Sequence, residues 1–182
     1  MNEQVVHGIP GWRRLEPGDI LSLDVGAVWE GYHADSAVSV FVDGAPSNVA
    51  ERLLQVTEQS LAAGIEQLRP GGRLGDVGHA VQGVVEGAGF SVVREYAGHG
   101  VGRALHEDPQ IPNYGDPGRG LLIKPGMVVA IEPMVNVGDW RTRVLADRWT
   151  VVTMDGSLSA HFEHTIAVTE DGPEVLTTRP AA

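Results

Sequence analysis

The feature of this 182-residue chain that most constrains its fold is an internal repeat in which an apolar stretch ends in an acidic residue. Residues 16–24 read as a Pro-Gly turn, an apolar stretch and an aspartate, and residues 124–132 read the same way with a final glutamate. Each copy is followed by a second match, between residues 35–40 and residues 163–168. The repeat predicts two halves, each with two strands that carry one acid apiece. The four acids, which a pseudo-twofold arrangement would bring to one centre, are Asp24, Asp35, Glu132 and Glu163.

These acids predict a metal site. All four lie in or beside apolar runs, where burying an unpaired charge is costly. A cluster of carboxylates repels itself unless cations neutralise it. The alternative is a pair of ordinary hairpins with coincidental acids, and for a single acid that interpretation is favoured because structural carboxylates are far commoner than ligands. Four acids in a repeated register favour the metal site.

Composition excludes several classes of function. The chain has no cysteine, so disulfides, thiolate zinc sites and cysteine nucleophiles are excluded. A net charge of −11 argues against a nucleic-acid partner. No apolar stretch approaches the ~20 residues that cross a bilayer, and residues 1–4 show no signal-peptide pattern. We therefore expect a cytoplasmic protein without a membrane or nucleic-acid partner.

Hydrophobic periodicity predicts an α+β protein with one helix pair between two groups of strands. Apolar residues recur close to every 3.6 positions after a cap at Ser47 or Asn48, and a second helix is expected over residues 74–88. A Gly- and Pro-rich loop is expected over residues 98–120. Strands are expected within residues 5–42, 90–96, 127–136, 149–155 and 159–169.

The repeat also predicts that part of the fold lies upstream. The helix pair precedes the strands of the second half, whereas the first half starts directly with strands. If the halves are copies, a matching helix pair belongs before Met1. We therefore expect residues 1–182 to form a single domain that lacks roughly the first quarter of its fold.

Six short motifs, in order along the chain, resemble type I methionine aminopeptidases. The resemblance covers residues 3–179. It implies the pseudo-twofold "pita-bread" fold of these metallopeptidases, without their N-terminal helix pair. The motifs are Val-His-Gly-Ile-Pro at 6–10, Leu-Asp-Val at 23–25, Gly-His-Gly-Val-Gly-Arg at 98–103, His-Glu-Asp-Pro at 106–109, Ile-Glu-Pro-Met-Val at 131–135 and Glu-His-Thr at 163–165.

The resemblance implies two divalent metal ions, cobalt, manganese, iron or zinc. Asp24 would chelate one ion, Asp35 and Glu163 would bridge the pair, and His99 and Glu132 would complete the second ion. Four carboxylates balance the charge of two divalent ions, and oxygen ligands with one imidazole suit all four metals. The implied reaction is removal of the N-terminal methionine from nascent proteins by metal-activated water, with Glu132 as general base.

The resemblance also implies residues that contact the substrate. His106 would hydrogen-bond the scissile amide and His7 would lie near the residue after the methionine. Trp149 would line the methionine pocket, and Leu105 occupies a position where relatives often carry an aromatic. Three further histidines flank the expected ligands and are candidates to contact them, whereas a fourth, His79, is expected to be structural; the three are His33, His161 and His164.

The expected partners are peptide or nascent-protein N-termini, with the ribosome as a further candidate. An X-Pro aminopeptidase or prolidase-like enzyme is one alternative, although residues 131–135 favour the methionine type. The 31-residue step from Glu132 to Glu163 leaves no room for the insertion of type II enzymes. A non-catalytic binding protein of the same fold is the other alternative, and five intact ligands argue against it. We expect low activity from this chain, because one wall of the substrate pocket would lie in the upstream segment.

Overall fold

The computed structural model of this chain describes residues 1–44 and 47–178. Within these residues it contains two helices, α1 (Asn48–Glu66) and α2 (Leu74–Gly87). The strands are β1 (Gln4–Val6), β2 (Ile20–Trp29), β3 (Tyr32–Phe41), β4 (Ser91–Val92), β5 (Gly98–Gly100), β6 (Glu107–Ile111), β7 (Val128–Ile131), β8 (Met134–Asn136), β9 (Thr142–Val144), β10 (Val151–Thr153), β11 (Ser159–His161), β12 (His164–Thr169) and β13 (Gly172–Val175).

The predicted helix pair is confirmed. Ser47 caps α1, since its hydroxyl accepts a hydrogen bond of 3.2 Å from the backbone N–H of Ala50. The two helices pack closely where Gly64 faces α2, because a Cβ there would stand 2.8 Å from Val81 Cγ2. Their apolar faces share one core with the second-half strands, made of Leu61, Leu68, Leu74, Val77, Ile111, Ile123, Val129, Ile131, Phe162, Ile166 and Val168.

The strands differ from the expectation in several places. β9 and β13 lie outside the expected strands, and β4 is shorter than the strand expected over residues 90–96. The loop expected over residues 98–120 contains β5 and β6, which extend a five-stranded sheet of order β13-β12-β7-β5-β6. The long strand expected over 127–136 breaks after Ile131, because Pro133 has no N–H to donate to a ladder. The strand expected over 159–169 also breaks, between β11 and β12. As a result β7 pairs with β12 in one sheet and β8 pairs with β11 in another.

The two halves of the repeat are joined by the edge of β3. Ala37 and Glu163 form a bridge in which the Glu163 N–H donates to the Ala37 carbonyl at 3.0 Å. The Thr165 hydroxyl accepts from the Asp35 N–H and donates to the Asp35 carbonyl, both at 2.8 Å. These bonds place the acid-bearing strands of the first half against those of the second half, as the pseudo-twofold arrangement requires.

The outward face of the β2–β3 hairpin is apolar and exposed. Val25 is 63% exposed and Trp29 is 79% exposed, and Tyr32, opposite Trp29 in the hairpin, is exposed as well. Helices α1 and α2 cover the second-half strands, and within residues 1–44 and 47–178 no helix covers this hairpin face. Nor is either of the two helices long and apolar enough to span a membrane.

Candidate metal centre

Five strands or strand ends carry the five predicted ligands. Asp24 lies in β2 and Asp35 lies in β3, close to one another across the hairpin because Asp24 is opposite Ala37 and Asp35 is opposite Gly26. His99 is the central residue of β5. The remaining two, Glu132 and Glu163, directly follow β7 and directly precede β12, whose pairing places Ile131 opposite His164.

All five side chains converge on one centre. The ligand atoms of Asp35, His99 and Glu163 lie within 4.8 Å of one another. Glu132 joins them through its Oε1, which lies 3.5 Å from His99 Nε2. Asp24 adjoins the group from β2, close enough that the charge of Asp35 helps to raise its pKa. Asp35, His99 and Glu163 are buried, whereas Asp24 opens to solvent at the rim.

The electrostatics of the centre are those of crowded, buried acids. Burial raises the pKa of Glu163 to about 10, and the charges of Glu132, Asp35 and Asp24 add to the effect. Burial, then Asp24 and Asp35, raises the pKa of Glu132 to about 8. Partial burial and Asp35 raise the pKa of Asp24 to about 6. In the absence of cations, the protein therefore retains protons that model carboxylic acids lose well below neutral pH.

The donor set fits divalent cations. The Oε1 atom of Glu163 is buried and accepts no hydrogen bond from the described residues, which leaves a carboxylate oxygen free to ligate. His99 Nδ1 lies 2.9 Å from the Gly100 carbonyl oxygen, so Nδ1 carries the proton and Nε2 presents its lone pair to the acids. Divalent cations would supply the missing partner of Glu163 and relieve the repulsion among the carboxylates.

Two cavities adjoin the centre and carry most of the predicted substrate residues. One, of about 320 Å³, is lined by residues that include His7, His99, His106 and Glu132. The other, of about 610 Å³, is lined by residues that include His7, Asp24, Trp149 and His161. His7 therefore stands between the two, with its ring 5.4 Å from that of Trp149.

The remaining predicted residues lie at the edge of the centre. The His106 ring lies 4.2 Å from the His99 ring. Leu105 packs against β2, with Cδ1 3.5 Å from the point where a Cβ on Gly26 would stand. His164 Nδ1 shares a hydrogen bond of 2.8 Å with Thr177 Oγ1. His79 is exposed on α2, as expected of a residue outside the centre.

Sequence reasoning missed three residues that shape the centre. Asn113 Nδ2 donates to the Glu132 carbonyl at 3.0 Å, and nothing in its loop sequence signalled this contact. Thr165 fixes the backbone of Asp35, and its signal was its place in the Glu-His-Thr motif. Tyr96 lines the smaller cavity and packs edge-on against His7, with ring centres 6.0 Å apart.

Known proteins resemble the chain along nearly all of its length. Residues 1–170 match the model of metallopeptidase family M24. The chain is 58% identical over 177 residues to methionine aminopeptidase 1 of Bacillus subtilis, a match that covers 97% of this chain and 71% of that protein. It is 53% identical to methionine aminopeptidase A of Synechocystis, with 97% and 70% covered.

Solved structures agree with the sequence relatives. The crystal structure of methionine aminopeptidase from Thermotoga maritima superimposes with a TM-score of 0.95 at 54% identity and covers 98% of this chain and 72% of that one. Prolidase from Pyrococcus furiosus has a TM-score of 0.74 at 24% identity, with 96% of this chain and 46% of that one covered, and shows the shared fold alone. The chain therefore belongs to metallopeptidase family M24 and, within it, to the methionine aminopeptidases.

Proposed function

We propose that this chain, as a single catalytic domain, binds two divalent cations and removes the initiator methionine from nascent proteins. The observation that carries the proposal is the convergence of four acids and one imidazole beside Glu163 Oε1, which makes no hydrogen bond with the part of the chain that the structure describes. The proposed ligands are Asp24, Asp35, His99, Glu132 and Glu163. Cobalt, manganese, iron and zinc all suit this donor set.

Bound cations would polarise the scissile carbonyl and lower the pKa of a water molecule toward neutrality. Glu132 would accept the proton of the attacking water and pass it to the leaving amine. Its position supports this role, since it lines the smaller cavity together with His99 and His106.

Histidines on the cavity wall would orient the peptide. His106 is exposed beside His99 and lines the smaller cavity, which suits a hydrogen bond to the scissile amide. His7 reaches both cavities and would contact the residue that follows the methionine. Trp149 would pack against the methionine side chain in the larger cavity, whose wall also contains Val6. Leu105 would contact the substrate from its place beside Gly26 of β2.

The partner would be the free N-terminus of a peptide or nascent chain in the cytoplasm, at the ribosome where such termini emerge. The site suits that partner, because Asp24 is exposed at the rim and its carboxylate attracts a protonated amine. The prolidase alternative is weaker, because identity to the prolidase is 24% whereas identity to the Bacillus enzyme is 58%.

The test is metal-dependent hydrolysis of short peptides. Purified protein stripped with EDTA and reloaded with Co²⁺ or Mn²⁺ is assayed on Met-Ala-Ser, Ala-Pro-Ser and Gly-Pro, with Asp35→Asn as the control that removes a bridging acid. Release of methionine from Met-Ala-Ser by the reloaded protein, and its loss in the control, is expected. Release from Ala-Pro-Ser or Gly-Pro instead would favour the prolidase type, and metal binding without any hydrolysis would favour a binding protein.

A further inference from the structure

His161 is a buried histidine with an unused ring nitrogen. It ends β11 and is 2% exposed. Its Nε2 is buried and makes no hydrogen bond with the described residues. Because native structures rarely leave a buried polar atom without a partner, this nitrogen calls for an explanation. The backbone of His161 is itself satisfied, since Ser39 Oγ accepts from its N–H and donates to its carbonyl, both at 2.9 Å.

The polar atom that faces this nitrogen belongs to Glu132. His161 Nε2 lies 3.8 Å from Glu132 Oε2, whereas His99 Nε2 lies 3.5 Å from Glu132 Oε1. The two oxygens of one carboxylate therefore face two different imidazoles. His99 Nδ1 is committed to the Gly100 carbonyl, so its Nε2 offers a lone pair and cannot donate. The Nε2 of His161, in contrast, is free to donate a hydrogen bond to Glu132.

We propose that His161 is a positioning residue that fixes the Glu132 carboxylate by donating its Nε2–H to Oε2. The inference rests on the proposed function, in which Glu132 is a metal ligand; Oε1, which faces His99, would then be the ligating oxygen. The 3.8 Å separation exceeds a hydrogen bond, and a small rotation of the carboxylate closes it. Such contacts are commonly long before the centre is loaded and shorten afterwards. A fixed Glu132 keeps one oxygen directed at the cations while the same carboxylate accepts the proton of the attacking water.

Two substitutions separate hydrogen bonding from shape. His161→Leu fills most of the ring volume and removes the donor. His161→Gln places an amide N–H close to the position of the imidazole Nε2 and keeps the donor. His79→Leu and His79→Gln, on the exposed face of α2, make the same chemical changes away from the centre. All four variants are measured for unfolding temperature in EDTA, for Co²⁺ affinity and visible spectrum, and for kcat and KM on Met-Ala-Ser.

If His161 acts as a hydrogen-bond donor, the two substitutions at position 161 should differ in kcat and in Co²⁺ affinity. His161→Leu should lower kcat ~10–100-fold and weaken Co²⁺ binding about 10-fold, the usual effect of removing a partner of a metal ligand, with KM changed less than about threefold. His161→Gln should stay within about threefold of the parent protein in each quantity, and both His79 variants should match the parent. Unfolding temperatures in EDTA should stay close to that of the parent, because Leu replaces an unpaired polar group.

Two results would overturn the role. One is a folded His161→Leu with the parent's kcat and Co²⁺ affinity. The other is a His161→Gln impaired as much as His161→Leu, which would show that ring shape alone matters. If His161→Leu fails to fold, the Co²⁺ affinity of His161→Gln tests the role by itself. An affinity equal to that of the parent supports a hydrogen-bond donor at position 161, and a weaker affinity refutes it. If the parent protein hydrolyses no peptide, the proposed function fails. The contact between His161 and Glu132 is then still tested by comparing the Co²⁺ affinity and visible spectrum of the variants with those of the parent.

Discussion

Neutralising one buried acid should stabilise the metal-free protein. Glu163 is 2% exposed, its Oε1 accepts no hydrogen bond from the described residues, and its pKa is raised from 4.5 to about 10. At pH 7 the unfolded chain carries this group ionised, whereas the folded protein must keep it protonated. Gln has the same shape and is neutral in both the folded and the unfolded state. Glu163→Gln therefore removes the free energy that the parent protein spends on protonating this group when it folds at pH 7.

The size of the effect follows from proton linkage. Because the folded pKa lies above the unfolded pKa, the folded state binds more protons and loses stability as pH rises above 4.5. Each pH unit costs about 1.4 kcal/mol, so Glu163 makes folding less favourable by about 3 kcal/mol at pH 7 than at pH 4.5. For a chain of this size that corresponds to about 10 °C in unfolding temperature.

The assay is thermal unfolding in EDTA at pH 4.5, 5.5 and 7. Glu163→Gln is expected to match the parent at pH 4.5 and to unfold about 10 °C higher at pH 7. The matched control is Glu170→Gln, which replaces an exposed acid directly after β12, the strand that Glu163 precedes. The unfolding temperature of this control should equal that of the parent at every pH. Adding Mn²⁺ at pH 7 should raise the unfolding temperature of the parent more than that of Glu163→Gln, since the substitution removes a ligand.

The reasoning would be refuted by a Glu163→Gln that is less stable than the parent in EDTA at pH 7. It would also be refuted by a difference that is the same at pH 4.5 and pH 7, because a pH-independent gain would come from packing and not from the buried charge.

Three further predictions follow from the site and the fold. Glu132→Gln should lower kcat on Met-Ala-Ser by ~10²–10⁴-fold with an unchanged circular dichroism spectrum, and retention of half the activity would exclude a general base there. Gly98→Ala should destabilise by about 1–3 kcal/mol in urea unfolding, because a Cβ would collide with the Ala130 carbonyl oxygen, whereas Gly83→Ala in an open part of α2 should be neutral or stabilising. Val25→Lys on the exposed hairpin face should lower light scattering at equal concentration without lowering the unfolding temperature, and unchanged scattering would show that this face does not cause association.

Much of the local structure could be read from the sequence. The helix pair followed from apolar spacing and the Ser47 cap, since both are local properties of α1 and α2. The strand β5 could not be read in this way, because its Gly-His-Gly sequence has low strand propensity. It is a strand because glycine alone lets it pass so close to the Ala130 carbonyl and to the Asp108 carbonyl of β6.

The candidate site, like the fold, could be predicted from the sequence only in part. The repeat was enough to predict that the four acids belong to one centre. Asp24 and Glu132 each follow the proline of a Pro-Gly turn by seven residues, and Asp35 and Glu163 each open a second matching segment. Only the tertiary structure decided which atoms face one another. The tautomer of His99 depends on the Gly100 carbonyl, and the short distance between His161 and Glu132 depends on how β11 and β7 are placed in the fold. A pattern along the chain specifies which residues share a face, whereas distances between side chains are set by the packing of strands that lie far apart in sequence.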